Sequence, residues 1–349
     1  MVELLRSYRL TGADPPFGDP RAAHGALGAG VAMEGYFYRT TDPSTGRVAI
    51  ALIGVNRGPD GPWATLGLAT AGADGPATLA TRAAPGAWAD PERLGARSGD
   101  AFVAHARGVD VDLGEGARMH LRIEDACEWP RRAFGGSSVF QCVPALNQYW
   151  HPWLLGGRAT GWVEAGGERW DLGGAQVYGE KNWGGGGFPE SWWWGQAQGF
   201  DEPDACVAFA GGQIHSGPLR TEVTALVVRL PGGRVVRLGN PVVSPVRAEV
   251  SDDEWRLSGR RYGWRIDAVG RAPLARAHVL PVPLPAEGRN TAGALEHLAG
   301  ELEVTVRRRG RVVWSGRSAL AALEHGGLDR AEAELRRRGA PPGASAAAP

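Results

Sequence analysis

The sequence predicts a mainly β protein whose antiparallel strands build sandwiches or barrels. Three observations carry this. Apolar and polar residues alternate over short runs: in 119–123, Met119, Leu121 and Ile123 fall on one face, His120 and Arg122 on the other. The 53 glycines and 25 prolines punctuate the chain between such runs and do not gather into one low-complexity block. Helical signals are scarce. Only 328–338 is convincing, with Asp329 in its first turn, arginines in its last and Gly339 as the stop.

In chain order, strands are expected at 48–55, 101–106, 117–123, 138–143, 159–164, 175–180, 192–198, 205–210, 221–230, 234–238, 255–258, 264–269, 302–307 and 311–316. The Pro-, Gly- and Asp-rich segment 72–99 reads as long connections with little regular structure, and 292–298 as a short helix. The chain divides into an N-terminal β unit, 1–183, a C-terminal β unit, 184–338, and a disordered tail, 339–349.

Composition removes several function classes. The 38 basic and 38 acidic residues balance, and no basic stripe asks for nucleic acid. No apolar run reaches the ~18–20 residues of a membrane helix, and the N-terminus reads as lacking a secretory signal. Cys127, Cys142 and Cys206 are far apart and odd in number, which fits reduced, buried thiols in a cytoplasmic protein. The scattered histidines form no metal-ligand spacing, so neither a metal nor another cofactor is expected.

The chemistry concentrates between Trp150 and Trp194, which hold eight of the fourteen tryptophans. The chain's one lysine, Lys181, lies there too, in a sequence otherwise biased to arginine in the manner of GC-rich coding. Ammonium and guanidinium are not interchangeable where geometry matters, so Lys181 belongs to a built site. Two readings stand: a structural ion pair with Glu180 or another carboxylate, or a direct role in ligand chemistry.

Strand alternation sorts the neighbours. Gln176, Tyr178, Glu180 and Asn182 share one face; Val177, Gly179, Lys181 and Trp183 share the other. Trp192, Trp194, Gln196 and Gln198 likewise share a face, an indole–amide wall suited to a ligand cavity, opposite a face with little bulk. If 184–191 is the turn of a hairpin, the two polar-aromatic faces form one surface. The glycines at 184–187 permit close backbone approach, but no G-K-[ST] follows to make a phosphate loop. A carboxyl beside apolar walls keeps its proton, and indole faces stabilise cations. These parts suit protonation of an alkene and retention of the resulting cation. They also suit stacking on a sugar.

The segment EKNWGGGGFPESWWWGQ (180–196) resembles the signature of tocopherol cyclases and their bacterial relatives. EGYFY (34–38) followed by Thr41-Asp-Pro43 is similar to that family's N-terminal strand, and His151, in QYWHP (148–152), falls where the family often carries a tyrosine–histidine pair. The resemblance spans 33–316. It departs after Gln196, where Ala197 and Gln198 replace a common Cys-Asn. It implies two lipocalin-like β-barrel domains, shared with carotenoid hydratases and Diels–Alderases. It also implies cofactor-free, acid-promoted chroman-type ring closure or hydration of a prenylated or polyene substrate.

On this reading Glu34, His151 and Glu180 are the candidate acids, with Lys181 and Asn182 completing the catalytic set. Tyr149, Trp150, Tyr178, Trp183, Trp192, Trp194 and Gln196 form the substrate wall, and Asn290, His297 and His278 are weaker candidates. Each has a structural alternative: an arginine partner for Glu34, a hydrogen-bonded structural role for His151, a turn-tying role for Asn182 and core packing for the tryptophans. The expected partner is a small apolar or amphipathic substrate, collected by peripheral contact with a membrane. The other functions considered are a non-catalytic lipocalin-like carrier and a natural-product pericyclase or carbohydrate-active protein.

Overall fold

The computed structural model describes residues 31–72, 77–90, 93–130, 135–142, 146–216 and 219–339. Two antiparallel sheets account for most of them. The first contains β1 (Met33–Asp42), β2 (Arg47–Gly58), β3 (Gly61–Ala71), β4 (Thr78–Pro85), β5 (Ala87–Ala89), β6 (Gly95–Ser98), β7 (Phe102–His105), β8 (Gly108–Asp112), β9 (Arg118–Glu124), β10 (Tyr149–Leu154), β11 (Arg158–Ala165), β12 (Glu168–Asp171) and β13 (Gln176–Gly184). The second contains β14 (Trp192–Ala197), β15 (Cys206–Ser216), β16 (Leu219–Arg229), β17 (Val235–Leu238), β18 (Val246–Val250), β19 (Glu254–Arg261), β20 (Trp264–Arg271), β21 (His278–Leu284), β22 (Arg289–Arg308) and β23 (Arg311–Gly326). One helix, α1 (Leu328–Arg337), follows.

Each sheet curls. The hydrogen-bonded path of the first runs from β4 to β5, yet those end strands are consecutive in the chain and joined by Gly86 alone. The path's two ends therefore meet end to end at that residue, and β5 packs back against β2 and β3. The second path runs from β17 to β18, again consecutive, and Gly259 sits where Leu238 and Val246 close the gap between them. Curling lets a strand bury one face inside and offer the other outside. Tyr36, Val177 and Trp183 fill the first interior; Trp193, Phe209, Trp255 and Trp314 fill the second. A third apolar cluster, with Trp150, Tyr178, Trp194 and Val227, lies where the outer faces of the two sheets meet.

Arg39, on the outer face of β1, ties the sheets together. It is fully buried and donates to Thr41 Oγ1 (2.6 Å), Gln196 Oε1 (2.8 Å), the Leu298 carbonyl (3.2 Å) and the Leu320 carbonyl. Both carbonyls lie at register shifts between β22 and β23. Bulges leave backbone acceptors without ladder partners, and the guanidinium supplies the missing donors.

The structure corrects four expectations. Residues 184–191 are not a hairpin turn, because β13 pairs with β1, β10 and β11 while β14 pairs with β15 and β23. The segment is a crossing between sheets, and Gly184 passes so close to the Asn147 carbonyl that a Cβ would sit 2.1 Å from it. Residues 292–298 are strand: they lie inside β22, paired on both sides and almost wholly buried, so sheet context overrides local helix preference. The span 72–99 contains β4, β5 and β6. Residues 138–142 form a single 3₁₀ turn in place of a strand.

The helix at 328–338 is found as α1, with Asp329 in its first turn and Arg336 and Arg337 in its last. Cys206 is buried and Cys127 half-buried, both unpaired thiols. The side chain of Cys142, residues 1–30 and the tail beyond Gly339 lie outside the described residues.

Candidate active site between the two sheets

Alternation along β13 divides the signature. Lys181 points into the first barrel, where it forms an ion pair with Glu34; both side chains are within 2 % of complete burial. Tyr36 closes this group, donating its hydroxyl to Glu34 Oε1 (2.8 Å) and placing its ring 4.8 Å from the ammonium. Lys181 therefore pairs with Glu34 rather than its neighbour Glu180, because adjacent residues on a strand face opposite ways.

Glu180 points outward into a cavity of about 310 Å³ between the sheets. The walls are largely apolar, with Phe37, Trp150, Trp192, Trp194, Leu280 and Val282 among them. Glu180 Oε2 accepts three hydrogen bonds: from Tyr178 (2.6 Å), Trp150 Nε1 (2.8 Å) and Trp194 Nε1 (2.9 Å). Its Oε1 has no partner among the described residues. Burial pushes the carboxyl up to about 7, against the three donors, which favour the charged form. Burial thus favours the acid form of a group whose conjugate base is already provided with donors.

Of the other sequence candidates, Asn182, Tyr149, Trp150, Trp192 and Trp194 also line the cavity. Tyr149 stacks on Trp183, whose own ring is turned into the first barrel. Tyr178 stands behind Glu180 as a hydrogen-bond donor, and Gln196 is held by Arg39. His151 lies behind the wall, edge-on to Trp129, and accepts the Gly136 N–H at Nδ1 (3.3 Å). Burial lowers its pKa to about 3, which keeps the imidazole neutral. Asn290 accepts from Thr65 (2.6 Å), and His297 packs edge-on to Trp255 inside the second barrel.

Two lining carboxyls escaped the sequence reading. Glu296 on β22 and Glu324 on β23 are opposite one another in register, and both border the cavity. Burial, then mutual repulsion, raises Glu296 well above the usual carboxylate range. Burial raises Glu324 to about 7, against the Trp192 indole that donates to its Oε1. A signal existed: the tetrapeptide Ala-Leu-Glu-His occurs at 294–297 and again at 322–325, each time placing a carboxyl inside an apolar strand. Among the described residues, no cluster of His, Cys, Asp and Glu is arranged to hold a metal ion, and no helix is long and apolar enough to cross a membrane.

Two curled antiparallel sheets with a buried, carboxyl-bearing apolar cavity between them define a lipocalin-like two-barrel protein. The profile of the tocopherol cyclase-like family matches residues 101–327, and the chain belongs to that family. A probable chloroplastic tocopherol cyclase of Oryza sativa subsp. japonica is 30 % identical over 197 residues, covering 53 % of this chain and 40 % of that protein. The chloroplastic tocopherol cyclase of Zea mays is 44 % identical over 57 residues, covering 16 % and 12 %. The chain thus spans less than half the length of these curated relatives.

Among solved structures, CghA with Sch210972 superposes with a TM-score of 0.60 at 15 % identity, covering 93 % of this chain and 97 % of that one. Kievitone hydratase from Nectria haematococca gives 0.53 at 11 %, covering 92 % and 97 %. At such identities the likeness is one of fold.

Proposed function

We propose that the protein is a cofactor-free acid catalyst that closes a ring on, or hydrates, a prenylated apolar substrate held between the two sheets. A prenyl quinol is the substrate class suggested by the family. The observation that carries this is Glu180: a buried carboxyl, raised to about 7, facing an indole-walled apolar cavity. A pure carrier has no need of such a group, since burying an ionisable carboxyl in an apolar site costs free energy.

Glu180 in its acid form gives its proton to the less substituted carbon of a trisubstituted alkene. As the proton leaves, Tyr178, Trp150 and Trp194 already donate to the carboxylate that remains, so no reorganisation accompanies the charge. The tertiary cation forms beside the Trp192 and Trp194 indoles. An oxygen, phenolic or from water and oriented by Asn182 or Tyr149, then bonds to the cationic carbon and gives up its proton. Ring closure is a net isomerisation; hydration adds one water.

Glu180 is preferred over the other two candidate acids on chemical grounds. Glu34 is committed to Lys181 and Tyr36, and neutral His151 has no acidic proton to give near neutral pH. The test is turnover of prenylated hydroquinones by wild type and Glu180→Gln. Loss of ~10²–10⁴-fold in kcat with KM little changed is expected. A variant that turns over at the wild-type rate refutes the assignment. Recovery of an apolar molecule bound unchanged, with no turnover of any prenylated hydroquinone, favours the carrier.

A further inference from the structure

Trp192 and Trp194 share the outer face of β14, two residues and ~7 Å apart. Each hands its indole N–H to a different cavity carboxyl: Trp194 to Glu180 on β13, Trp192 to Glu324 on β23. One strand therefore holds two carboxyls from two sheets side by side along one cavity. Glu324 is backed by Glu296, directly opposite it on β22.

The charges around this group need balancing. Arg39 is fully buried, and each hydrogen bond it makes goes to a neutral acceptor: a threonine, a glutamine and two carbonyls. Among the described residues, neither Glu296 nor Glu324 has a cation within 4.0 Å. A buried cation with neutral partners requires a nearby anion, and Glu296 is the carboxylate whose field acts most strongly on Arg39. Two buried carboxyls on adjacent strands cannot both ionise, so they share a proton. The other titratable groups packed around the pair are Glu180 on β13, His278 on β21, which is opposite Glu296 in register and whose imidazole burial holds towards the neutral form, and, beside Glu180 and Arg39, Tyr178 on β13 and Cys206 on β15. Burial raises both the phenol and the thiol far above neutral, which leaves the carboxyls and Arg39 to set the charge.

We infer that the Glu296–Glu324 pair carries one proton and one negative charge, balanced by Arg39, and that Glu324 is the proton acceptor working opposite Glu180. The inference rests on the acid-initiated reading above. Glu180 gives a proton to the alkene carbon, the oxygen–carbon bond forms at the tertiary centre, and the O–H proton passes to Glu324. The pair then holds two protons and Glu180 none. Return of one proton through water resets the site, so ring closure consumes and releases nothing.

The experiment compares wild type, Glu180→Gln, Glu324→Gln and Glu296→Gln on a prenylated hydroquinone across pH, each variant first shown to be folded by its circular-dichroism spectrum. Wild type should lose rate on the acid side as the acceptor protonates and on the alkaline side as the donor ionises. Glu324→Gln should lose ~10²–10⁴-fold in kcat with KM nearly unchanged, and lose the acid-side fall. Glu180→Gln should lose the alkaline-side fall. Glu296→Gln should move the acid-side fall to lower pH, because Glu324 then ionises beside Arg39 without a competing carboxyl. A structural role for Glu296 would not shift that limb.

The proposal is overturned if Glu324→Gln and Glu296→Gln both keep the wild-type acid limb and rate while Glu180→Gln is dead. A second arm needs no substrate: infrared difference spectra across pH should show that Glu324→Gln displaces the titration of a remaining buried carboxyl. Unchanged titration of the rest overturns the shared proton. A wild-type protein inactive on every prenylated hydroquinone instead refutes the acid-initiated reading itself, and the acceptor role with it.

Discussion

Replacing Glu180 with glutamine should stabilise the protein, and by an amount that depends on pH in a definite direction. The carboxyl titrates near its ordinary value of 4.5 when the chain is unfolded and near 7 when it is buried. Below 4.5 both states hold the proton and the group makes no difference. Between 4.5 and 7 the folded protein keeps a proton the unfolded chain has released, so stability falls as pH rises. Above 7 the loss is complete and amounts to about 3 kcal/mol.

Glutamine has the same shape, and its carbonyl can accept from Trp150, Tyr178 and Trp194, but it never ionises. The difference in unfolding free energy, variant minus wild type, should therefore grow by about 3 kcal/mol in the variant's favour between about pH 4.5 and pH 8. Urea unfolding read by tryptophan emission measures it, the comparison being made at each pH so that carboxyls common to both proteins largely cancel. A difference that stays constant across this range, or moves against the variant, refutes the argument that burial holds the proton on Glu180. The same substitution is the one expected to abolish turnover, so a gain in stability alongside that loss would mark a group kept at the cost of stability.

Other outcomes follow from the same geometry. Lys181→Met should cost about 3–5 kcal/mol in urea unfolding by removing the ammonium that balances the buried Glu34 carboxylate, and adding Glu34→Gln should restore much of it; a single variant as stable as wild type would show that the pair contributes nothing. Trp194→Phe removes one of three donors from the Glu180 carboxylate and should raise its titration midpoint by about one pH unit, seen in infrared difference spectra, and a fall would contradict the hydrogen-bond argument. Gly326→Ala would put a Cβ 1.8 Å from the Trp192 ring. That substitution should cost about 1–3 kcal/mol and disturb the indole that holds Glu324, measurable as lower kcat as well as a lower unfolding midpoint.

Much of the candidate site could be read from the chain because strand alternation is a local rule. Glu180 and Asn182 share a face, as do Trp192 and Trp194, for any strand of ordinary pleat, and these four side chains do line one cavity. The β character, the helix at 328–337 and the separation of Lys181 from its neighbour Glu180 follow from the same short-range physics. What joins distant segments did not follow. The sequence contains the carboxylate for Lys181 but not the register of β1 against β13, which sets Tyr36 opposite Lys181 and so brings Glu34 within reach. Residues 184–191 read as a hairpin turn because a glycine run between two strands is locally indistinguishable from a crossing between two sheets. Residues 292–298, rich in alanine and leucine, read as helix until pairing on both edges decided otherwise. Glu296 and Glu324, 28 positions apart, became one site only when β22 and β23 paired and burial removed the water that would have let both ionise. Local pattern sets which way a side chain points; register, sheet closure and desolvation set what it meets and which protons it keeps.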